Sequence, residues 1–334
     1  MHRHLEGSVR FDTLRELAGE LKLGLSDAEL RRRTTMKGER PGFRRFLSKF
    51  ALYRGLYPSR EWIERVAFEA VEDAKNDGVV YLELRFSPTH FGRRMNAKGE
   101  DVAEWIARGA RRAKLPVTFI ATFGRDFGVE GNRPTIRAVQ GTDVFAGLDL
   151  AGDEACPAEP FRPVFKRLKL PCTIHAGEAG PASNVREAID RFGARRIGHG
   201  VRVLEDEALL KEARKKGVVF EVCPTSELQT GAARSWRRHP ATRMKERFLP
   251  VALCTDDPSI CGTTLSEELR AAGKAGWEWW ELAWAMSWGA HAAFLPRERR
   301  SRLFKRIHSE WSGVPWSAIR KNLKRTLREL LPPF

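Results

Sequence analysis

His175 and Glu178 stand three residues apart in Thr173-Ile174-His175-Ala176-Gly177-Glu178, at the end of an apolar run from Lys169 to Ile174. An imidazole can hold a metal or a proton, and a carboxylic acid can deliver a proton. A strand sends alternate side chains to opposite faces. A turn loosened by Gly177 can bring Glu178 back over the mouth that His175 faces. Taken alone, such a pair is more often a structural hydrogen bond than a site, so its partners decide what it means.

Partners of the right types recur along the chain. His2 and His4 are spaced i, i+2, which puts both imidazoles on one face of a strand, as a shared metal needs. His199 stands in Gly198-His199-Gly200, Asp256 and Asp257 are adjacent, and Gly152-Asp153-Glu154 and Ser226-Glu227 add further polar groups. An isolated His-x-His is a weak signal. His90, His239, His291 and His308 have no such context and read as ordinary histidines.

These residues must be positioned by something regular. After residue 75 the sequence alternates apolar strands with amphipathic helices. Strands are expected at 79–86, 116–123, 144–150, 169–174, 195–197, 218–222 and 251–254, with helices at 101–113, 132–139, 160–168, 184–192 and 206–216 between them and helix again from Thr264 on. With the His2-x-His4 segment this makes eight strands. The pattern predicts a parallel sheet closed as a (β/α)8 TIM barrel with additional helices, as a single domain over residues 1–334. Residues 11–75 are helical in spacing, with apolar stripes at Phe11, Leu14, Leu17, Ala18 and Leu21, at Phe43, Phe46, Leu47, Phe50 and Leu52, and from Trp62 to Ala74; they read as core, and the first, which follows the His-x-His strand, could also lid a site. Glu83 and Arg85 share one strand face and are expected as structural partners inside the barrel. The tryptophans at 277, 279, 280, 284 and 288 read as helix packing. The polar groups above fall at the C-terminal ends of the strands, where barrel sites collect.

The donor set can now be assembled. His2 and His4 from strand one, His175 from strand five and Asp256 from strand eight offer three imidazoles and a carboxylate, which suits zinc with a further position open to water. Such an ion brings the pKa of its water to roughly 7. Glu178, His199 and Asp257 remain beside it to handle protons. One feature is discordant. A strand ending at His4 should be preceded by several apolar residues, and here only Met1 stands there. The first strand is expected to be truncated, leaving His2 and His4 on a poorly supported terminus.

Bulk composition narrows the class. At 334 residues and 42% hydrophobic the chain is globular, and its 18 prolines and 28 glycines are scattered. No apolar run approaches the ~20 residues of a membrane span, and no signal-peptide core follows Met1, so a cytoplasmic protein is expected. The five cysteines have no CxxC spacing and read as small buried hydrophobes in a reducing compartment. The net charge of +16 is spread over Arg31-Arg32-Arg33, Arg111-Arg112, Arg237-Arg238 and the run from Arg297 to Arg306, with no interleaved exposed aromatics. Basic helix faces account for it better than a nucleic-acid partner.

Seven motifs, in order, carry a resemblance that goes further. They are His2-Arg3-His4-Leu5-Glu6-Gly7-Ser8, Tyr81-Leu82-Glu83-Leu84-Arg85-Phe86-Ser87-Pro88, Gly147-Leu148-Asp149-Leu150-Ala151-Gly152-Asp153-Glu154, Thr173 to Glu178, Arg196-Ile197-Gly198-His199-Gly200, Cys223-Pro224-Thr225-Ser226, and Thr255-Asp256-Asp257-Pro258 with Gly262-Thr263-Thr264. Through them the whole chain resembles the adenosine deaminase family of metal-dependent amidohydrolases. The resemblance implies one Zn2+ on His2, His4, His175 and Asp256. It implies that Glu178 protonates the purine N1 and that His199 orients or deprotonates the attacking water. Asp257 would bond N7 and the Gly152 N–H would meet N3, with His4 and Glu6 also touching substrate. The partner implied is a purine nucleoside.

Departures from the family pattern bear on specificity. Glu6 stands where an aspartate for the ribose 5′-hydroxyl is common, so its extra methylene could shift the sugar or admit another 5′ group. Glu227 stands where asparagine is usual and is expected to add a carboxylate near the mouth. Cys254 and Ser259-Ile260-Cys261 also differ. Gly198 favours a nucleoside over adenine, since the adenine branch commonly has aspartate there. The alternatives left open are a 5′-substituted or aminofutalosine-like nucleoside, adenine, a nucleic-acid-binding protein, and an inactive relative lacking metal. A tRNA-editing deaminase would carry H-x-E and P-C-x-x-C, and Pro171-Cys172 is followed by Thr-Ile-His instead.

Overall fold

The computed structural model describes residues 1–310. The part of the expected C-terminal helix and of the expected domain that falls at 311–334 lies outside the described residues. Seven strands form one parallel sheet in sequence order: β1 Leu82–Phe86, β2 Val117–Gly124, β3 Phe145–Ala151, β4 Cys172–Ala176, β5 Arg196–His199, β6 Val219–Val222 and β7 Val251–Leu253. Their near-continuous burial is what a sheet covered on both faces requires. The helices that follow them pack apolar faces on the sheet, as Val102, Ala103, Ile106, Ala107 and Ala110 of Gly99–Arg111 do.

The sheet is curled, and the first residues close the gap between its two edges. Arg3 bridges Asp256 and His4 bridges Arg85, both in parallel sense. The His4 N–H donates to Asp256 O and the Asp256 N–H to His2 O, each at 2.9 Å. On the other side the Leu5 N–H donates to Arg85 O and the Arg85 N–H to Arg3 O, again at 2.9 Å. The first of the eight expected strands is therefore reduced to this bridge, as its shortness implied. The expectation of a poorly supported terminus is corrected. His2 and His4 are buried and bonded on both sides, because the edges of β1 and β7 leave backbone donors and acceptors that the segment satisfies.

Inside the barrel a layer of charge replaces the usual aliphatic filling. Arg85 lies 2.7 Å from Glu221 and 3.4 Å from Asp149, and Arg196 lies 2.5 Å from Glu221 and 2.7 Å from Glu83. All five are essentially inaccessible to solvent. Buried charges persist only when paired, and here every one has an opposite partner. Glu83 and Arg85 take the interior structural role expected of them.

Between the bridge and β1 run helices at Phe11–Glu20, Asp27–Thr34, Phe43–Ser48, Phe50–Tyr53 and Arg60–Asn76. Phe43, Phe46, Leu47 and Phe50, which read as core, form an apolar wall over the mouth of the barrel, whereas Leu14, Leu17 and Ala18 of the first stripe are buried as core and do not line the cleft. Trp277 and Trp288 are packed, whereas Trp279 and Trp280 keep 42% and 36% of their surface exposed, so only part of the tryptophan set is packing. All five cysteines are free, four of them buried. No helix among the described residues is long and apolar enough to cross a membrane.

Candidate active site

The strand ends converge on one cleft, walled by Phe43, Phe46 and Phe50 and floored by polar side chains. At its floor, His2, His4, His175 and Asp256 each offer one atom within 4.8 Å of the others. His4 Nε2 is 3.3 Å from both His2 Nε2 and His175 Nε2. Asp256 Oδ1 lies 3.2 Å from His2 Nε2 and 3.4 Å from His4 Nε2. The outer nitrogens are already engaged: His2 Nδ1 is 2.9 Å from Glu221 Oε2, and His175 Nδ1 is 2.9 Å from Asp149 Oδ1. A neutral imidazole that donates at Nδ1 has only a lone pair at Nε2. Lone pairs thus converge on a carboxylate oxygen with no proton between them, an arrangement that fits a cation. Burial holds the pKa of His2 and, more strongly, of His4 below the usual value, which keeps those lone pairs free. Burial opposes charge on Asp256, but the surrounding His2, His199 and His4 hold its pKa well below the ordinary range. Ser226 Oγ donates to Asp256 Oδ2 at 2.8 Å.

Glu178 stands over this cage because its loop is built for it. Gly177 takes φ +74°, a left-handed turn that glycine adopts without cost. A Cβ there would lie 2.6 Å from Val185 Cγ2. The Glu154 carboxylate accepts from three successive N–H groups, of Gly177 at 2.7 Å, Glu178 at 2.8 Å and Ala179 at 2.9 Å. Thr230 Oγ1 donates to Glu178 Oε1 at 2.8 Å. Burial pushes the Glu178 pKa up to about 7, with Asp256 and Glu154 adding to it against the pull of His199. Asp257 is likewise pushed well above its ordinary value by burial first, then by Asp256, Glu6 and Glu178.

His199 ends β5 in the left-handed region at φ +60°, and Asp256 follows β7 at φ +58°. Such strain, of order 1–3 kcal/mol at each non-glycine residue, tends to collect at functional sites. His199 Nε2 lies 3.5 Å from Glu178 Oε2 and 3.9 Å from Asp256 Oδ2. Burial disfavours charge on this ring, yet Glu178, Glu227 and Asp256 outweigh it and push the pKa up to about 10; a divalent cation in the cage would oppose that charge and free Nε2 to accept a proton.

The remaining sequence candidates lie on the same cleft. Glu6 accepts from the Ser87 N–H at 2.8 Å through Oε1, while its Oε2 is buried without a partner. Gly7 touches Asp257 so closely that a Cβ would lie 2.0 Å from Asp257 Oδ1. Gly152, at φ +93°, lines the cleft beside Asp126. Glu227 does not sit near the mouth. It is fully buried behind His199, because the helix Pro224–Thr230 turns it inward.

Sequence reasoning placed Glu154 and Ser226 among the polar strand ends without a role, and missed Asp149, Glu221 and Thr230 as supports and Arg54, His90 and Asp126 as cleft residues. A signal did exist for two of them. Asp149 and Glu221 are charges inside otherwise apolar strand runs, where a carboxylate needs a buried partner.

The adenosine deaminase family profile matches residues 1–310. The adenosine deaminase of Edwardsiella ictaluri (strain 93-146) is 35% identical over 314 residues, covering 90% of this chain and 94% of that protein. The chain belongs to the adenosine deaminase family. Family membership makes it a hydrolase of exocyclic purine amines in a group of metal-dependent amidohydrolases, and the four-residue cage is its candidate metal site. Among solved structures, the adenine deaminase of Arthrobacter aurescens shares the fold at a TM-score of 0.83, 23% identity, and coverage of 94% of this chain and 98% of that one. The N6-methyl-AMP deaminase of Arabidopsis thaliana superimposes at a TM-score of 0.80, 25% identity, and coverage of 92% and 95%.

Proposed function

We propose that this adenosine deaminase family member converts adenosine and 2′-deoxyadenosine to their 6-oxo products and ammonia, with one zinc ion held by His2, His4, His175 and Asp256. One observation carries the reading. Two carboxyl groups kept protonated by burial, Glu178 and Asp257, flank a cage of unprotonated donors in a single cleft. A 6-aminopurine presents acceptors, N1 and N7, on both sides of its amine-bearing carbon.

The residues then take complementary parts. Glu178 delivers its proton to N1, which draws electron density from C6 and opens it to attack. Asp257 donates to N7 and the Gly152 N–H to N3, so three bonds fix the ring in its plane. His199 orients the attacking water and receives its proton at Nε2. Glu6 accepts the ribose 5′-hydroxyl at the oxygen left without a partner, and His4 borders the sugar. The wall of Phe43, Phe46 and Phe50 covers the ring and excludes bulk water. A zinc ion in the cage would acidify the water and aim it at C6. Five free cysteines suit a reducing, cytoplasmic setting.

A second reading, a 5′-phosphorylated 6-aminopurine, is favoured by one feature. Arg54 Nε is buried without a partner at the cleft. Two carboxylates oppose it: Asp126 lies 3.9 Å from Arg54, and Glu6 is close by. Ammonia release by zinc-loaded protein from adenosine, 2′-deoxyadenosine, adenine and AMP decides the matter. The expected kcat/KM is at least about tenfold higher for the two nucleosides, the worth of one unpaired buried polar group. Turnover of AMP or adenine alone would overturn the proposal.

A further inference from the structure

Glu227 is a departure from the family pattern, and its place in the fold explains what it does there. Its carboxylate is fully buried, with one oxygen hydrogen-bonded and the other without a hydrogen-bond partner. Oε1 accepts the Cys223 N–H at 2.9 Å and lies 3.2 Å from His199 Nδ1. Oε2 lies 3.3 Å from His239 Nε2. His239 is itself oriented by the start of the helix Pro240–Glu246. Its Nδ1 accepts the Ala241 N–H at 3.1 Å, so the ring's proton sits on Nε2 and faces Glu227. Burial keeps the His239 ring neutral. Oε1, held by the Cys223 N–H, is the oxygen that hydrogen-bonds and it faces His199, while Oε2 has only the ion-pair distance to His239 without hydrogen-bond geometry.

The same logic fixes His199. A carboxylate cannot donate, so His199 Nδ1 carries the hydrogen and Nε2 faces Glu178 and Asp256. Nothing else within hydrogen-bonding distance of His199 Nδ1 is recorded among the described residues.

We infer that Glu227 is the positioning residue of the deamination: it holds His199 by Nδ1, keeps the Nε2 lone pair turned to the attacking water, and offsets the charge of the ring while it carries the proton, with the Cys223 N–H fixing Glu227 in turn. The inference rests on the proposed role of His199. The proton arrives at Nε2 from water and leaves from Nε2, and the Nδ1–H stays with Glu227 throughout. An orienting carboxylate behind a catalytic imidazole is worth up to about 10⁴-fold in kcat elsewhere.

The test uses full-length protein and four variants: Glu227→Gln, Glu227→Leu, His239→Gln and His199→Gln. Glu227→Gln keeps an acceptor for His199 but loses the charge, and its kcat should fall about 10²-fold with KM within twofold. Glu227→Leu should fall about 10³-fold or more. His239→Gln should cost about threefold. Zinc content should stay at the wild-type level in all of them. In ¹⁵N-histidine spectra of zinc-loaded protein, the Nδ1–H tautomer of His199 should persist in Glu227→Gln and be lost in Glu227→Leu. Should Glu227→Leu fail to fold, the Gln variant and its spectrum decide alone. The inference is overturned if both Glu227 variants keep kcat within threefold of wild type, or if kcat falls only in step with zinc content. An active His199→Gln variant would instead refute the underlying role of His199.

Discussion

At the residue scale, protonation states do much of the work. Glu178 is a carboxylic acid near neutral pH because its surroundings deny it water, with its pKa pushed up to about 7. The sign of the consequence follows. A raised carboxyl pKa contributes stability that is complete below the unfolded value of about 4.5 and is lost as pH rises through about 7, a loss of about 3 kcal/mol for a group this deeply buried. Glu178→Gln should therefore retain metal and lose kcat by about 10³-fold. In metal-free protein its Tm should match wild type at pH 4.5 and exceed it at pH 8. A variant that stays active, or no Tm difference at pH 8, counts against this account. The donors also depend on what stands behind them. Asp149 holds His175 by Nδ1, so Asp149→Asn should weaken zinc affinity about 10–100-fold, read by chelator competition. Unchanged affinity would sever that link.

At the scale of the element, the strand ends and the turns after them set the geometry. The loop after β4 is held by three N–H groups on one carboxylate, and the bridge after Met1 is held by bonds to both sheet edges. The turn at Gly7 shows how little slack remains. An added methyl at Gly7 would overlap Asp257, with Cβ only 2.0 Å from its Oδ1. Gly7→Ala should thus leave zinc bound while kcat/KM falls about 10²-fold, since displacement of a substrate contact by about 1 Å costs that much. Metal analysis alongside steady-state kinetics checks it, and an unimpaired Gly7→Ala enzyme would show that Asp257 tolerates displacement.

For the whole molecule, the interior charge layer couples the fold to the site. Glu221 joins Arg85, Arg196 and His2, so the packing that fills the barrel also aims a candidate metal ligand. Removing one partner strands the others in a dry interior. Arg196→Met leaves Glu83 and one oxygen of Glu221 uncompensated and should cost about 3–5 kcal/mol of unfolding free energy. Urea denaturation would register this as a lower midpoint, and a midpoint within error of wild type would mean that the layer is not energetically coupled. The overall charge of +16 is of another kind. It is the excess left beyond ion pairs on exposed helix faces such as those of Arg65 with Glu16 and of Arg186 with Asp206 and Glu212.

The alternation of apolar strands and amphipathic helices was enough to specify a parallel barrel, because burial on both sheet faces leaves its mark residue by residue. Each of the seven described strands falls within two or three residues of where periodicity puts it. The donor set was equally legible, since metal-binding side chains at strand ends need no long-range information to be recognised as candidates. Tertiary structure alone decided the rest. Whether His2 and His4 are held depends on hydrogen bonds to Arg85 and Asp256, far apart in sequence. Whether Glu227 faces solvent or His199 depends on how one short helix docks. His239 read as ordinary because its partner stands twelve residues away on another helix. The protons on Glu178 and Asp257 depend on burial and on neighbouring charges, and both are properties of the assembled cleft. Residue types and their periodicity are local, so the sequence by itself determined the fold class and the candidate ligands, whereas orientation and protonation arise from contacts that exist only once the chain has closed on itself.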